Sequence, residues 1–197
     1  MSFVELMKRR RSRYQLADTL PISDKKLQEI VSGCILQAPS AFNVQSARVV
    51  LLLGGQHKKL WEIVMHCLRQ IVPAGKFAPT EEKINAFAAA YGSILYLDDT
   101  VATGQLQEKF PDYAENFPVW AQQANGMLQF AIWTALAEAG VGASLQHYNP
   151  LIDEQVKKEF RLPATWQLIA QMPFGTSVGA DSEKTYQPLT ERFYIRK

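Results

Sequence analysis

Three segments of this chain are apolar at consecutive rather than alternate positions: Arg48 to Leu53, Ser93 to Leu97, and Trp166 to Gly175. A strand built this way has no polar face to offer water and must be covered on both sides. The cover comes from stretches with helical spacing. Ser23 can cap a helix carrying Leu27, Ile30, Val31, Cys34 and Ile35, which ends before Pro39. From His57 to Val72 the apolar residues Leu60, Ile63, Val64, Cys67, Leu68 and Ile71 repeat at three and four residues, until Pro73 stops the helix. Helical pattern returns near Glu81 to Tyr91 and again near Asp153 to Phe160. Few strands and long helices predict an α+β sandwich.

The longest helical stretch, Phe117 to Ala139, carries Val119, Trp120, Ala124, Met127, Leu128, Ala131, Ile132, Ala135 and Leu136, with Phe130 and Trp133 off the main stripe. A helix apolar over more than one face is expected to bury itself against its own domain and a second surface, as a central helix of a dimer does. Trp120, Met127 and Trp133 read as fillers of that core or interface. Residues 76–83 are expected to be mobile, residues 100–116 to be polar with a weak helical pattern, and Asp98-Asp99 to end a strand. Residues 1–197 read as one domain without internal repeats. No run approaches the roughly 20 apolar residues a membrane span needs, and the N-terminus turns basic before a signal-peptide core could form, so the expected location is cytoplasmic. Cys34 and Cys67 sit in helical segments as reduced thiols do, and His57 and His66 read as surface or satisfied-core histidines; no zinc spacing is present.

Five of the six residues from Lys8 to Arg13 are cationic, in a chain whose net charge is only +2. Charge packed this tightly repels itself unless an anion screens it, and guanidinium suits phosphate through paired N–H donors. A nearly balanced total argues against a nucleic-acid coat or a membrane partner and favours a small anionic ligand.

Three polar motifs accompany this chemistry: Arg10-Arg11-Ser12; Pro39-Ser40-Ala41-Phe42-Asn43-Val44-Gln45 ahead of a strand; and Ser144-Leu145-Gln146-His147 after another. Together, over essentially the whole chain, they resemble the small branch of the FMN-dependent nitroreductase family. The resemblance implies a nitroreductase-like sandwich, a central, mostly antiparallel sheet flanked by helices, in an intertwined homodimer with FMN in its interface. It implies that Arg10 and Arg192 clamp the phosphate, that Arg11 and Ser12 reach the phosphate or ribityl oxygens, and that Asn43 and Gln45 meet the ribityl or the ring edge. Pro39, Ser40, Ala41 and Phe42 would come from the partner subunit, and Ser144, Leu145, Gln146 and His147 would line the ring, while Tyr148 packs. The implied activity is a ping-pong hydride relay from NADH or NADPH through FMN to a nitroaromatic or quinone-like acceptor, with no acid or base supplied by the protein.

The chain also departs from larger members of that family. Tyr14 stands where they carry Lys, Gln146 where they place Glu, and the nearest counterparts of a ring-edge lysine are Lys83 and Asn85, about a turn upstream. The competing readings are a flavin-carrying regulatory protein without turnover and an anion or nucleic-acid binder using the basic N-terminus.

Overall fold

The computed structural model describes residues 2–180 and 183–197. It contains helices α1 (Phe3–Arg9), α2 (Asp24–Gln37), α3 (Gly54–Ile71), α4 (Ala78–Ala88), α5 (Thr100–Lys109), α6 (Asn116–Glu138) and α7 (Asp153–Glu159). The strands are β1 (Leu16–Ala17), β2 (Ala47–Leu53), β3 (Gly92–Asp99), β4 (Gly142–Ala143) and β5 (Trp166–Ser177). The sheet runs β1-β5-β3-β2, with β4 also paired to β5. All these pairings are antiparallel.

β3 and the centre of β5 are covered on both faces, as expected, whereas β2, at the edge of the sheet, fully buries only Leu52. Along β3 the side chains alternate: Leu95 and Leu97 face a core with Leu60, Trp61, Val64, Ile84, Phe87 and Val156, supplied by α3, α4 and α7. Ile94 and Tyr96 face the opposite core, with Leu27, Val31, Leu128, Ile132 and Leu136 from α2 and α6. Two glycines permit close approach. A Cβ on Gly92 would stand 2.5 Å from the Phe174 ring and 2.9 Å from the Leu52 carbonyl, and one on Gly175 would collide with the carbonyl of Ala17.

Helix ends follow local chemistry. The Ser23 hydroxyl accepts from Lys26 N–H at 3.2 Å and starts α2, and Ser2 with Glu5 forms a reciprocal cap on α1. Residues 76–83, expected to be mobile, form the end of a 3-10 turn and the first half of α4. Phe77 is buried, Pro79 sits in the first turn of α4, and Arg69 of α3 lies over the Phe77 ring at 4.6 Å while pairing with Glu81. Asp99 does more than end β3: it pairs with Arg48 at 2.9 Å and accepts from Val101 N–H at the start of α5. Residues 100–109 form a full helix, which the weak periodicity understated. No helix among the described residues is long and apolar enough to cross a membrane.

Candidate active site

After α1 the chain turns extended at Arg10, and Ser12 forms a parallel bridge with Ala143 of β4. Arg13 N–H donates to the Ala143 carbonyl at 2.9 Å, and the Trp133 indole N–H of α6 donates to the same oxygen at 3.2 Å. This junction holds Arg10 so that its guanidinium lies 4.2 Å from the centre of the Trp133 ring. Partial burial, and then the neighbouring charge of Arg11, push the Arg10 pKa down. Both effects oppose the cation, and an anion beside it would relieve them. Arg11 goes the other way. With Arg9 and Arg13 it lines a small pocket against Gly140, Gly142 and Ser177. The basic run is therefore split over two faces, because consecutive residues of an extended segment point in opposite directions.

The same junction carries the second motif. Ser144 is fully buried and accepts from Gln146 Nε2 at 3.1 Å, Leu145 is half-buried, and His147 is exposed. Tyr148 packs, as expected: its ring meets Trp61 edge-on at 5.9 Å, and burial pushes its hydroxyl pKa up to about 12. Tyr14, two residues beyond Ser12, lies 6.5 Å from the Phe87 ring of α4, and Lys83 Nζ stands 5.7 Å from that ring's centre. Asn85 faces elsewhere, lining a groove between α3 and α4 with Met65, His66 and Arg69. Of the two candidates on α4, Lys83 is the one that shares a neighbour, the Phe87 ring, with Tyr14.

The Pro39–Gln45 loop is strained. Phe42, Asn43 and Gln45 have φ of 54°, 53° and 50°, a region that costs non-glycine residues on the order of 1 kcal/mol each. The Ser40 hydroxyl accepts from Gln45 N–H at 3.0 Å, and Arg48 donates to the Gln45 carbonyl at 2.7 Å. Phe42 is 55% exposed, and its ring rests against Phe110, Phe117 and Trp120 at 4.9, 5.4 and 6.4 Å. Pro39 and Ser40 border a pocket with Ile35, Arg48, Ala124 and Leu128, and Ala41 opens the 3-10 turn that contains Phe42.

These groups do not meet within one chain. Phe42 sits on the first turns of α6 at Trp120 and Arg10 near its last at Trp133, which at 1.5 Å per residue is a separation of about 20 Å. Arg192 lies in an exposed C-terminal tail, where its own N–H closes a turn onto Leu189. Trp133 packs on the core, as expected of a filler, and also carries Arg10; Gln171 was missed, and a glutamine within the otherwise apolar run 168–175 was the available signal.

The sequence profile of the Nitroreductase family matches residues 7–176. HBN1 of Saccharomyces cerevisiae is 35% identical over 187 residues, covering 94% of this chain and 93% of HBN1. The structure of the Lactococcus lactis nitroreductase CinD in complex with chloramphenicol superposes with a TM-score of 0.90 at 41% identity over 100% of both chains, and CinD is also known in complex with 4-nitrophenol. A nitroreductase from Desulfitobacterium hafniense with bound FMN shares the fold, with a TM-score of 0.72 at 16% identity over 98% of this chain and 97% of its own. By sequence and by fold, this chain belongs to the nitroreductase family.

Proposed function

We propose that the protein is an FMN-dependent oxidoreductase whose site is completed by a second copy of the chain, and that it passes hydride from NADH or NADPH to nitroaromatic or quinone-like acceptors. The observation that carries this reading is the separation of Arg10 and Phe42 to opposite ends of α6. One chain holds a phosphate-type cation beside the Ser144–His147 loop, and the strained Pro39–Gln45 loop faces a different region. A two-fold partner brings one chain's loop to the other's cation.

Exposed apolar surface supports the homodimer. Phe3 and Val4 of α1 and Val119 and Met127 of α6 are exposed, as are Tyr186, Leu189, Phe193, Tyr194 and Ile195 in the tail, each of these five more than 60%. A tail of this composition finds cover on a second copy. That placement would carry Arg192 toward the partner's Arg10.

The donor set fits a phosphorylated flavin: Arg10 and Arg192 for the phosphate, Arg11 and Ser12 for the phosphate or ribityl oxygens, and Asn43 and Gln45 for the ribityl or ring edge. Ser144, Leu145, Gln146 and His147 would line one side of the ring and Pro39, Ser40, Ala41 and Phe42 of the second copy the other. FMN, when bound, supplies the hydride-accepting and hydride-donating chemistry. The protein would orient it, and Lys83, beside the Phe87 ring, would supply a cation that favours negative charge on the ring. Nitroaromatic acceptors are supported by the CinD complex with 4-nitrophenol; donor and acceptor would use one face in turn.

The test is a visible spectrum followed by anaerobic titration. Protein given FMN should be yellow, bleach with NADH or NADPH, and regain colour with a nitroaromatic or quinone. A colourless protein in excess FMN contradicts the reading, and a yellow protein inert to both donors leaves a flavin carrier without turnover.

A further inference from the structure

The loop Ser144–Tyr148 runs beside β5 as an irregular extra strand. Its amides at even positions bond β5: Ser144 N–H donates to the Pro173 carbonyl at 3.3 Å, and Gln146 N–H donates to the Gln171 carbonyl at 2.7 Å, answered by Gln171 N–H to the Gln146 carbonyl at 2.9 Å. The next rung would fall at Ile169. It is not available in register, because β5 bulges there: Tyr96 of β3 pairs with Ala170 and Leu97 with Leu168, leaving Ile169 between them. The acceptor for Tyr148 N–H is instead the Gln171 side chain, whose Oε1 lies 2.8 Å away. Since the Tyr148 amide can only donate, the Gln171 amide must present its oxygen there, and its Nε2 points the other way. That nitrogen is buried without a partner. A fully buried glutamine with half its amide unsatisfied is a poor choice for stability alone.

In an extended chain, amides at odd positions point away from the sheet that binds the even ones. With Gln146 and Tyr148 both fastened to β5, His147 N–H is turned outward. We infer that Gln171 is a positioning residue that continues the ladder past the bulge, and so fixes the His147 amide as a hydrogen-bond donor toward the bound flavin. This rests on the proposed FMN site and goes beyond it, since Gln171 is shielded from any ligand and acts only through the loop.

Gln171→Met keeps length and removes the acceptor; Gln171→Glu keeps an oxygen at the Oε1 position. In the FMN-free protein, amide exchange over residues 144–148 should quicken in Gln171→Met and match wild type in Gln171→Glu. In the FMN-loaded protein, Gln171→Met should lose about tenfold in preference for reduced over oxidised FMN, read as a midpoint about 30 mV more negative for a two-electron couple. Should Gln171→Met fail to fold, Gln171→Glu carries the test, and quickened exchange there overturns the inference. Unchanged exchange in Gln171→Met, or quickened exchange with an unchanged midpoint, overturns it too. A wild-type protein that takes up no FMN overturns the proposed function as well, whereas a yellow wild type with an unresponsive Gln171→Met overturns this inference alone.

Discussion

The guanidinium of Arg10 lies 4.2 Å from the centre of the Trp133 ring, and the same indole donates its N–H to the Ala143 carbonyl. Trp133 thereby aligns Arg10 with the strand that leads into the Ser144–His147 loop. A cation over an aromatic face is worth about 1–2 kcal/mol when partly desolvated. Trp133→Leu should weaken FMN retention about 5- to 30-fold while the protein stays folded, measured by fluorescence titration of the FMN-free protein. Retention equal to wild type would show that Arg10 needs no such platform.

Phe42 combines a positive φ with a ring held by Phe110, Phe117 and Trp120. Alanine and glycine at this position both lose the ring contacts, but only glycine escapes the left-handed penalty. Phe42→Gly should be more stable than Phe42→Ala by about 1 kcal/mol in urea denaturation. The reverse order would mean that the loop relaxes out of this conformation once the ring is gone.

Much of this architecture was legible from residue spacing. The central run became a strand buried on both faces because β3 sends Ile94 and Tyr96 to one core and Leu95 and Leu97 to the other, while the run from Arg48 to Leu53 became an edge strand that is only partly buried. Ser23 and Pro39 bracket α2 because a hydroxyl cap and a helix breaker act locally. What stayed hidden depends on distant partners. β1 is two residues long and exists only through its pairing with Thr176 and Ser177. Residues 76–83 look polar, yet Phe77 among them is buried and Arg69 anchors its ring from another helix. The three motifs were visible, but not that Arg10 and Arg11 part to opposite sides, nor that Phe42 takes a backbone conformation rarely adopted by aromatic residues.

Lys83 and Asn85 make separable predictions. Lys83 shares a face of α4 with Phe87, beside Tyr14, and Asn85 belongs to the groove with His66 and Arg69. Lys83→Met should slow anaerobic flavin reduction by NADH or NADPH about tenfold or more, the scale of losing one electrostatic contact to developing charge. Asn85→Ala should leave that rate within about twofold in stopped-flow absorbance. Equal effects would remove the distinction between the two faces.

His57 sets a pH dependence of stability. The Ala88 carbonyl can only accept, so Nε2 carries the hydrogen at 3.2 Å, and Nδ1 accepts from the Ser93 hydroxyl at 2.9 Å. That hydroxyl in turn accepts the Trp61 indole N–H at 3.0 Å. Burial, with a smaller push from Lys58, holds the His57 pKa below its ordinary 6.5, against opposing pulls from the Ala88 carbonyl and Asp18. The folded state therefore binds fewer protons here than the unfolded chain. Its contribution is complete above the unfolded value and is lost as pH falls through the folded one. Thermal midpoints should decline from pH 7 toward pH 5, and His57→Gln should flatten that decline at a lower overall stability. A variant with the wild-type slope would assign the titration to another group.

Subunit mixing tests most directly whether two chains build each site. Arg10→Glu should abolish FMN binding from one side of the interface and Ser40→Glu from the other. Unfolded together and refolded at equal ratio, the two inactive variants should recover about a quarter of wild-type bound FMN and NADH oxidation, because half the dimers are mixed and each of those holds one intact site. Recovery near zero, with mixed dimers verified by mass spectrometry, would place Arg10 and Ser40 of the same chain in one site and contradict the account.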